Sequence, residues 1–174
     1  MTGQEPQITA RQDIFANQWV TIVRKDVVSN GVTHDYYAVG SPDFVIVAAR
    51  TPSGRISVVR QFRPALERFT LELPAGTIDP LERCEDTCRR ELLEEAGLEI
   101  LSLSKVGSYF ADSGRMSNQH HVFFAETSEQ LPGFLPEPGV QAHLMTPEEV
   151  RVLVRSGQID NAIHISALYV CGLL

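Results

Sequence analysis

Three carboxylates, Glu91, Glu94 and Glu95, crowd into little more than one turn of a segment with helical periodicity. Leu81, Cys84, Cys88 and Leu92 recur at helical spacing across 81–96, and Gly97 stands where a C-terminal cap is expected. At about 100° per residue, Glu91 and Glu95 lie roughly 40° apart, flanking Cys84 and leaning toward the buried side. Like charges at i and i+4 cost a helix roughly a few tenths of a kcal/mol. A chain that accepts this beside an apolar stripe either solvates an acidic face or gathers a cation there. Charge alone leaves both readings open. If a cation is held, carboxylate oxygens without a nearby Cys/His set favour magnesium or manganese over zinc.

Around this helix the pattern is mostly strand. Trp19 to Val28 and Thr33 to Val39 flank Asn30-Gly31, a hairpin turn signal, and the residues before Trp19 read as a loose start. Phe44 to Ala49 is a continuous apolar run suited to a buried strand. Ile56 to Phe62, Leu66 to Leu73, Lys105 to Phe110 and His120 to Ala125 follow, with polar loops at 112–119 and 128–139. Thr146-Pro147-Glu148-Glu149 opens one helix, and Asp160-Asn161 offers the cap of another. The order predicts an α+β chain, an α/β/α sandwich around a mixed sheet, preceded by a small antiparallel β unit. The expected division is a hairpin segment at 1–42 and a larger domain at 43–174.

With 174 residues, 43% of them apolar and 21% charged, the chain suits one soluble domain and a small extra unit. Met1 to Ile14 lacks the order of a signal peptide, and no apolar run reaches bilayer length, so a cytoplasmic protein is expected with no membrane partner. A net charge of −7 without a Lys/Arg cluster argues against nucleic-acid binding. Three cysteines do not make a disulfide framework. Cys84 and Cys88, one turn apart, suit small apolar filler better than a metal pair. His120 and His121, neighbours on a strand, face opposite ways and read as structural.

Spacing then sharpens the acidic cluster. Gly76, five residues, Glu82, seven residues, and Arg90-Glu91-Leu92-Leu93-Glu94-Glu95-Ala96-Gly97-Leu98 match the Nudix box at every defined position. Arg60-Gln61-Phe62-Arg63-Pro64, Leu71-Glu72-Leu73-Pro74-Ala75-Gly76 and Gly157-Gln158-Ile159-Asp160-Asn161-Ala162 resemble the corresponding segments of ADP-ribose and ADP-sugar pyrophosphatases. The resemblance runs from about Trp19 to Leu174.

That resemblance implies a Nudix fold and a magnesium-dependent hydrolase, with manganese able to substitute, cutting the pyrophosphate bond of a nucleoside diphosphate sugar. ADP-ribose, giving AMP and ribose 5-phosphate, is the leading substrate. Glu91 and Glu95 would hold the metal, assisted by Glu94 and the backbone carbonyl of Ala75, with Gly76 supplying backbone freedom. Arg90 would orient the carboxylates, with Glu82 in a similar structural role, and Glu137 would be the general base. Arg63 would contact phosphate, with Arg60 a weaker candidate. Trp19 and Tyr36 stand where similar enzymes place the rings that sandwich adenine. Glu72, Ser113 and Gly114 complete the implied substrate contacts, and a homodimer is implied as well.

One position departs from the pattern. Ser113 stands where ADP-ribose enzymes often carry a proline, which raises GDP-mannose or another nucleotide sugar as a competing substrate. Dinucleoside polyphosphates, NADH and capped RNA fit the flanking segments less well. A non-catalytic binding module is the remaining alternative, but every glutamate and the arginine of the box are present.

Overall fold

The computed structural model describes residues 5–174 and divides them into two compact units. The smaller takes the chain up to Asp43 together with Phe110–Gln119, and the larger takes Phe44–Tyr109 and His120–Leu174.

The smaller unit is an antiparallel sheet in the order β1 (Gln7–Ala16), β2 (Thr21–Ser29), β3 (Val32–Gly40). Asn30 and Gly31 take positive φ angles of 50° and 76°, as the expected hairpin demands. The loose start is corrected for the described residues, while Met1 to Gln4 lie outside them. β1 pairs with β2 from Gln7↔Val28 to Ala16↔Thr21. The Asn17 side chain closes the connecting turn, accepting from the N–H groups of Trp19 and Val20 at 2.8 and 2.9 Å. Every residue of β1 is exposed, so its order comes from the backbone ladder and burial patterning could not reveal it. The segment 110–119 joins this unit through reciprocal backbone bonds between Val39 and Arg115 (2.8 Å) and Ser117 and Val39 (3.3 Å).

The larger unit is built on β4 (Phe44–Arg50), β5 (Ile56–Arg63), β6 (Arg68–Glu72), β7 (Ala75–Thr77), β8 (Ile100–Tyr109), β9 (His120–Thr127) and β10 (Val140–Met145). Its sheet runs β10-β5-β4-β9-β8, with β6 on β5 and β7 on β4. Only the β4–β9 pairing is parallel, so the sheet is mixed. β7 and β10 had no separate signal in the apolar pattern: one is three residues long, and the other is only partly buried after its first residue.

β4 explains the layering. Its alternate residues Ile46 and Ala48 pack with Val150, Ile159, Ala167 and Leu168, placing α2 (Pro147–Arg155) and α3 (Ala162–Val170) on one side of the sheet. Val45, Val47 and Ala49 pack with Cys88, Leu92, Ala96 and Leu98, placing α1 (Cys84–Glu91) on the other. A strand covered on both faces must be apolar throughout, which is why 44–49 reads as one run. Both expected caps are present: Thr146 and Glu149 form a reciprocal capping box, and Asn161 accepts from the Ile163 N–H at 3.3 Å. Among the described residues no helix is long and apolar enough to cross a membrane.

Candidate active site

Segment 75–98 forms a strand, a turn and a helix, each with a local cause. β7 lies antiparallel on β4, Ala75 opposite Ile46 and Gly76 opposite Val45. Asp79-Pro80-Leu81-Glu82 is a tight turn closed by the Glu82 N–H on the Asp79 carbonyl at 2.9 Å, with Leu81 at φ 73° and fully exposed. The predicted helix over 81–96 is therefore corrected at its start. Turn chemistry around Pro80 overrides the apolar spacing of Leu81, and α1 begins at Cys84. It is corrected at its end as well, because Leu92–Ala96 widens into a π turn before Gly97 caps it at φ 63°. Such turns are rare and recur at functional sites.

The π turn leaves Glu91 at 8% and Glu95 at 3% exposure, facing Ala75 and Gly76. Glu91 accepts from Arg90 Nη1 at 2.5 Å, and Glu95 accepts from the Ala75 N–H at 3.2 Å. Burial raises both carboxyls; for Glu95, the neighbouring Glu91 and then Glu137 add to the effect and bring it to about 8. Gly76 is needed for room. Its φ is not in the left-handed region, so the expected need for backbone freedom is replaced by a steric one. A Cβ there would overlap the Glu91 carboxylate and lie 2.7 Å from its Cγ.

Arg90 ties the cluster together. It donates through Nε and Nη2 to the two oxygens of Glu82, at 3.2 Å each, and through Nη1 to Glu91 and, at 3.4 Å, to the half-exposed Glu94. The Arg90 bond holds Glu82 down at about 2. Glu137 is exposed, but its N–H donates to the Glu94 carbonyl at 3.2 Å, and its charge pushes both Glu91 and Glu95 upward. The Pro/Gly-rich loop is fastened to the helix end by this bond and by the Leu131 N–H on the Gly97 carbonyl at 2.9 Å. Gly97 is needed there twice, for its left-handed φ and because a Cβ would collide with the Phe134 ring.

Beside the acids opens a cavity of ≈ 370 Å³, its wall including Ala75, Gly76, Arg63, Glu72, Phe44 and His164. Glu72 is 1% exposed, and Arg63 grips it with two bonds, Nε–Oε1 at 3.0 Å and Nη2–Oε2 at 2.6 Å. Burial raises the Glu72 carboxyl, but its bonds from Arg63, His164 and Thr70 outweigh that and hold it well below the ordinary range. Arg60 instead stacks on the Phe69 ring, 3.8 Å from its centre.

Trp19, Tyr36, Ser113 and Gly114 belong to the smaller unit. There the Tyr36 hydroxyl donates to the Gly114 carbonyl, and the Gly114 N–H donates to Asp112 Oδ1 at 2.9 Å. Tyr36 pairs with Lys25, six residues beyond Trp19 on the neighbouring chain segment, or about 20 Å of strand. One chain therefore cannot sandwich a single base between both rings. Cys88 lies in the core, with its thiol pushed up by burial, and Cys84 packs against the same cluster. His121 Nδ1 bonds the Ser108 hydroxyl at 2.8 Å, and the His120 ring lies 3.9 Å from that of Phe44.

A family model of the NUDIX domain matches residues 41–165, well over half of the chain. The chain belongs to the Nudix family of hydrolases. Over 166 residues it is 32% identical to the ADP-ribose pyrophosphatase of Bacillus subtilis, covering 93% of this chain and 90% of that protein. It is 31% identical to the methanol dehydrogenase activator of Bacillus methanolicus, over 94% of this chain and 91% of that one. Among solved structures, an ADP compounds hydrolase superposes with a TM-score of 0.82 over 98% of this chain and 94% of its own, at 22% identity, a likeness of fold.

For a Nudix hydrolase, the donor set is coherent with a divalent cation. Glu91, Glu94 and Glu95 offer hard oxygens, and Glu95 is buried with too little positive charge beside it to stay ionised at neutral pH. Among the described residues no three acidic, His or Cys side chains already converge on one point. Arg90 and the Ala75 N–H hold the two inner carboxylates apart from such a cage.

The Glu95 carboxyl gives a signed pH dependence. The unfolded group loses its proton near 4.5 and the folded one near 8, so between these values the native state binds the extra proton. Stability of metal-free protein falls as pH rises through that window and levels off above it. In EDTA, Glu95→Gln should melt several degrees above wild type at about pH 8.5, with the gap closing toward about pH 5. Parallel melting curves across that range would show that Glu95 is not the strained group.

Proposed function

We propose that this Nudix hydrolase uses magnesium, with manganese as a substitute, to hydrolyse the pyrophosphate bond of a nucleoside diphosphate sugar, ADP-ribose first among them. The observation that carries the reading is the junction at Ala75–Gly76. The same two residues line the cavity and back the buried carboxylates, so a diphosphate entering beside Arg63 meets the acidic cluster directly.

Glu91 and Glu95, with Glu94 and the Ala75 carbonyl, would hold the cation. When bound, that cation neutralises diphosphate charge and lowers the pKa of an attacking water. Arg90 fixes the direction of Glu91 while its other edge is anchored on Glu82, so the carboxylates keep their aim as charge redistributes. Arg63 offers phosphate what remains of a guanidinium already clamped by Glu72. Glu137, exposed and held beside Glu94, is the carboxylate placed to take the proton of the water.

A full-length likeness to an ADP-ribose pyrophosphatase supports that substrate, and Ser113 keeps GDP-mannose as its rival. A panel of nucleotide sugars assayed for kcat/KM with magnesium should rank ADP-ribose first. Glu95→Gln should cut kcat by at least about a hundredfold with the fold intact. A higher kcat/KM on GDP-mannose transfers the assignment to that sugar, and no turnover on any member makes the chain a binding module.

We also propose a homodimer formed through the smaller unit. Its sheet exposes Ile14, Phe15, Trp19, Val32 and Tyr37, between 47% and 66% of each, an apolar load out of keeping with a solitary surface. A second chain would supply the second ring for adenine that the Trp19–Tyr36 register denies to one chain. Light scattering at micromolar concentration should give twice the 19.3 kDa chain mass. A monomer mass removes the dimer and the shared stack together.

A further inference from the structure

His164 is a buried imidazole, 2% exposed, that the reaction described above does not use. It sits in the first turn of α3, three residues after the cap Asn161, and reaches across to β6 and the strand end that follows it. The Leu73 N–H donates to its Nδ1 at 3.2 Å. That nitrogen is therefore the acceptor, and Nε2 carries the hydrogen, which it donates to Glu72 Oε2 at 3.1 Å. Glu72 receives on both oxygens: Thr70 Oγ1 at 2.6 Å and Arg63 Nε on Oε1, His164 Nε2 and Arg63 Nη2 on Oε2.

The geometry makes Glu72 a relay with little freedom. Its carboxylate is enclosed, its plane is fixed from two sides by Thr70 and His164, and the third side is the face that Arg63 grips. The guanidinium takes its plane from the carboxylate plane, because a two-bond fork works only when the two are nearly coplanar. Arg63 lines the cavity with 40% of its side chain exposed, so its plane decides where the remaining N–H groups aim.

We infer that His164 is a positioning residue for anion binding: through Glu72 it sets the orientation in which Arg63 meets the phosphates of a nucleotide in the cavity. This rests on the hydrolase reading of the same site. It adds a control element from α3, whose tail motif otherwise reads only as a helix start. Loss of the Nε2 donor should leave the fold standing and loosen Arg63, so ligand affinity falls while turnover of bound substrate changes little.

The test is a calorimetric titration with ADP in magnesium buffer on wild type, H164N, H164Q, R63A and R63A/H164N, beside KM and kcat for the best substrate of the panel. Asn keeps an acceptor near the Leu73 N–H but falls short of Glu72, whereas Gln reaches the Nε2 position and can still donate. H164N should weaken ADP roughly five- to tenfold and raise KM in proportion, with kcat within about twofold, as expected for one lost hydrogen bond to a charged group. H164Q should return affinity to within about threefold of wild type. In the R63A background H164N should add nothing, since the two act in series. Unchanged ADP affinity in a folded H164N, a loss that persists in full without Arg63, or wild type that does not bind ADP would each overturn the inference. H164S takes the place of H164N, read the same way, if the latter does not fold. Wild-type turnover judges the hydrolase reading and the binding cycle judges this one, so either can fail alone.

Discussion

Glu95 and Glu91 face the same short strand from the end of one helix, nearly sealed from water, with a backbone N–H and a single arginine to answer them. Much of the surrounding geometry follows from accommodating that pair. The helix widens into a π turn to bring Glu95 inward, Gly76 gives up its side chain to Glu91, and Gly97 closes the turn while making room for Phe134. Glu82 anchors Arg90 from outside the helix so that one guanidinium can serve the inner carboxylate. The arrangement stabilises poorly on its own terms, because burial raises both carboxyls and each raises the other. A site that gains so much from a divalent cation is built around acquiring one.

The cavity beside this pair is organised on the opposite principle. Glu72 is as buried as Glu95 but has its full complement of partners, and it stays ionised. Two carboxylates on one sheet region, Glu72 on β6 and Glu95 packed against β7, are thus tuned in opposite directions by what surrounds them. One holds a permanent cation, Arg63, where phosphate would enter. The other is short of positive charge where the reacting centre would sit. An acidic chain can in this way receive an anionic substrate without any basic patch.

The sandwich and its acidic cluster were legible in the sequence because they rest on strong local signals. The run 44–49 could only be a strand covered on both faces, and the box fixes the identity and order of the residues around Glu91. What escaped did so for physical reasons. β1 is ordered by backbone pairing with no buried side chain, so periodicity had nothing to report. Leu81 mimics a helical position but belongs to a turn dictated by Pro80. The π turn is a tertiary outcome with no pattern of its own. Arg63 was assigned to phosphate without its clamp, since Glu72 and His164 are 92 residues apart in the chain and meet only through the packing of α3 on the sheet.

The central claim is that the buried carboxylates exchange a proton for a metal ion. Magnesium titrated calorimetrically at about pH 7, in buffers of differing ionisation enthalpy, counts the protons released per ion bound. With Glu95 titrating near 8, wild type should release close to one proton per binding event, and Glu95→Gln should release far less while binding more weakly. Magnesium binding that releases no proton and is indifferent to Glu95→Gln would contradict the account.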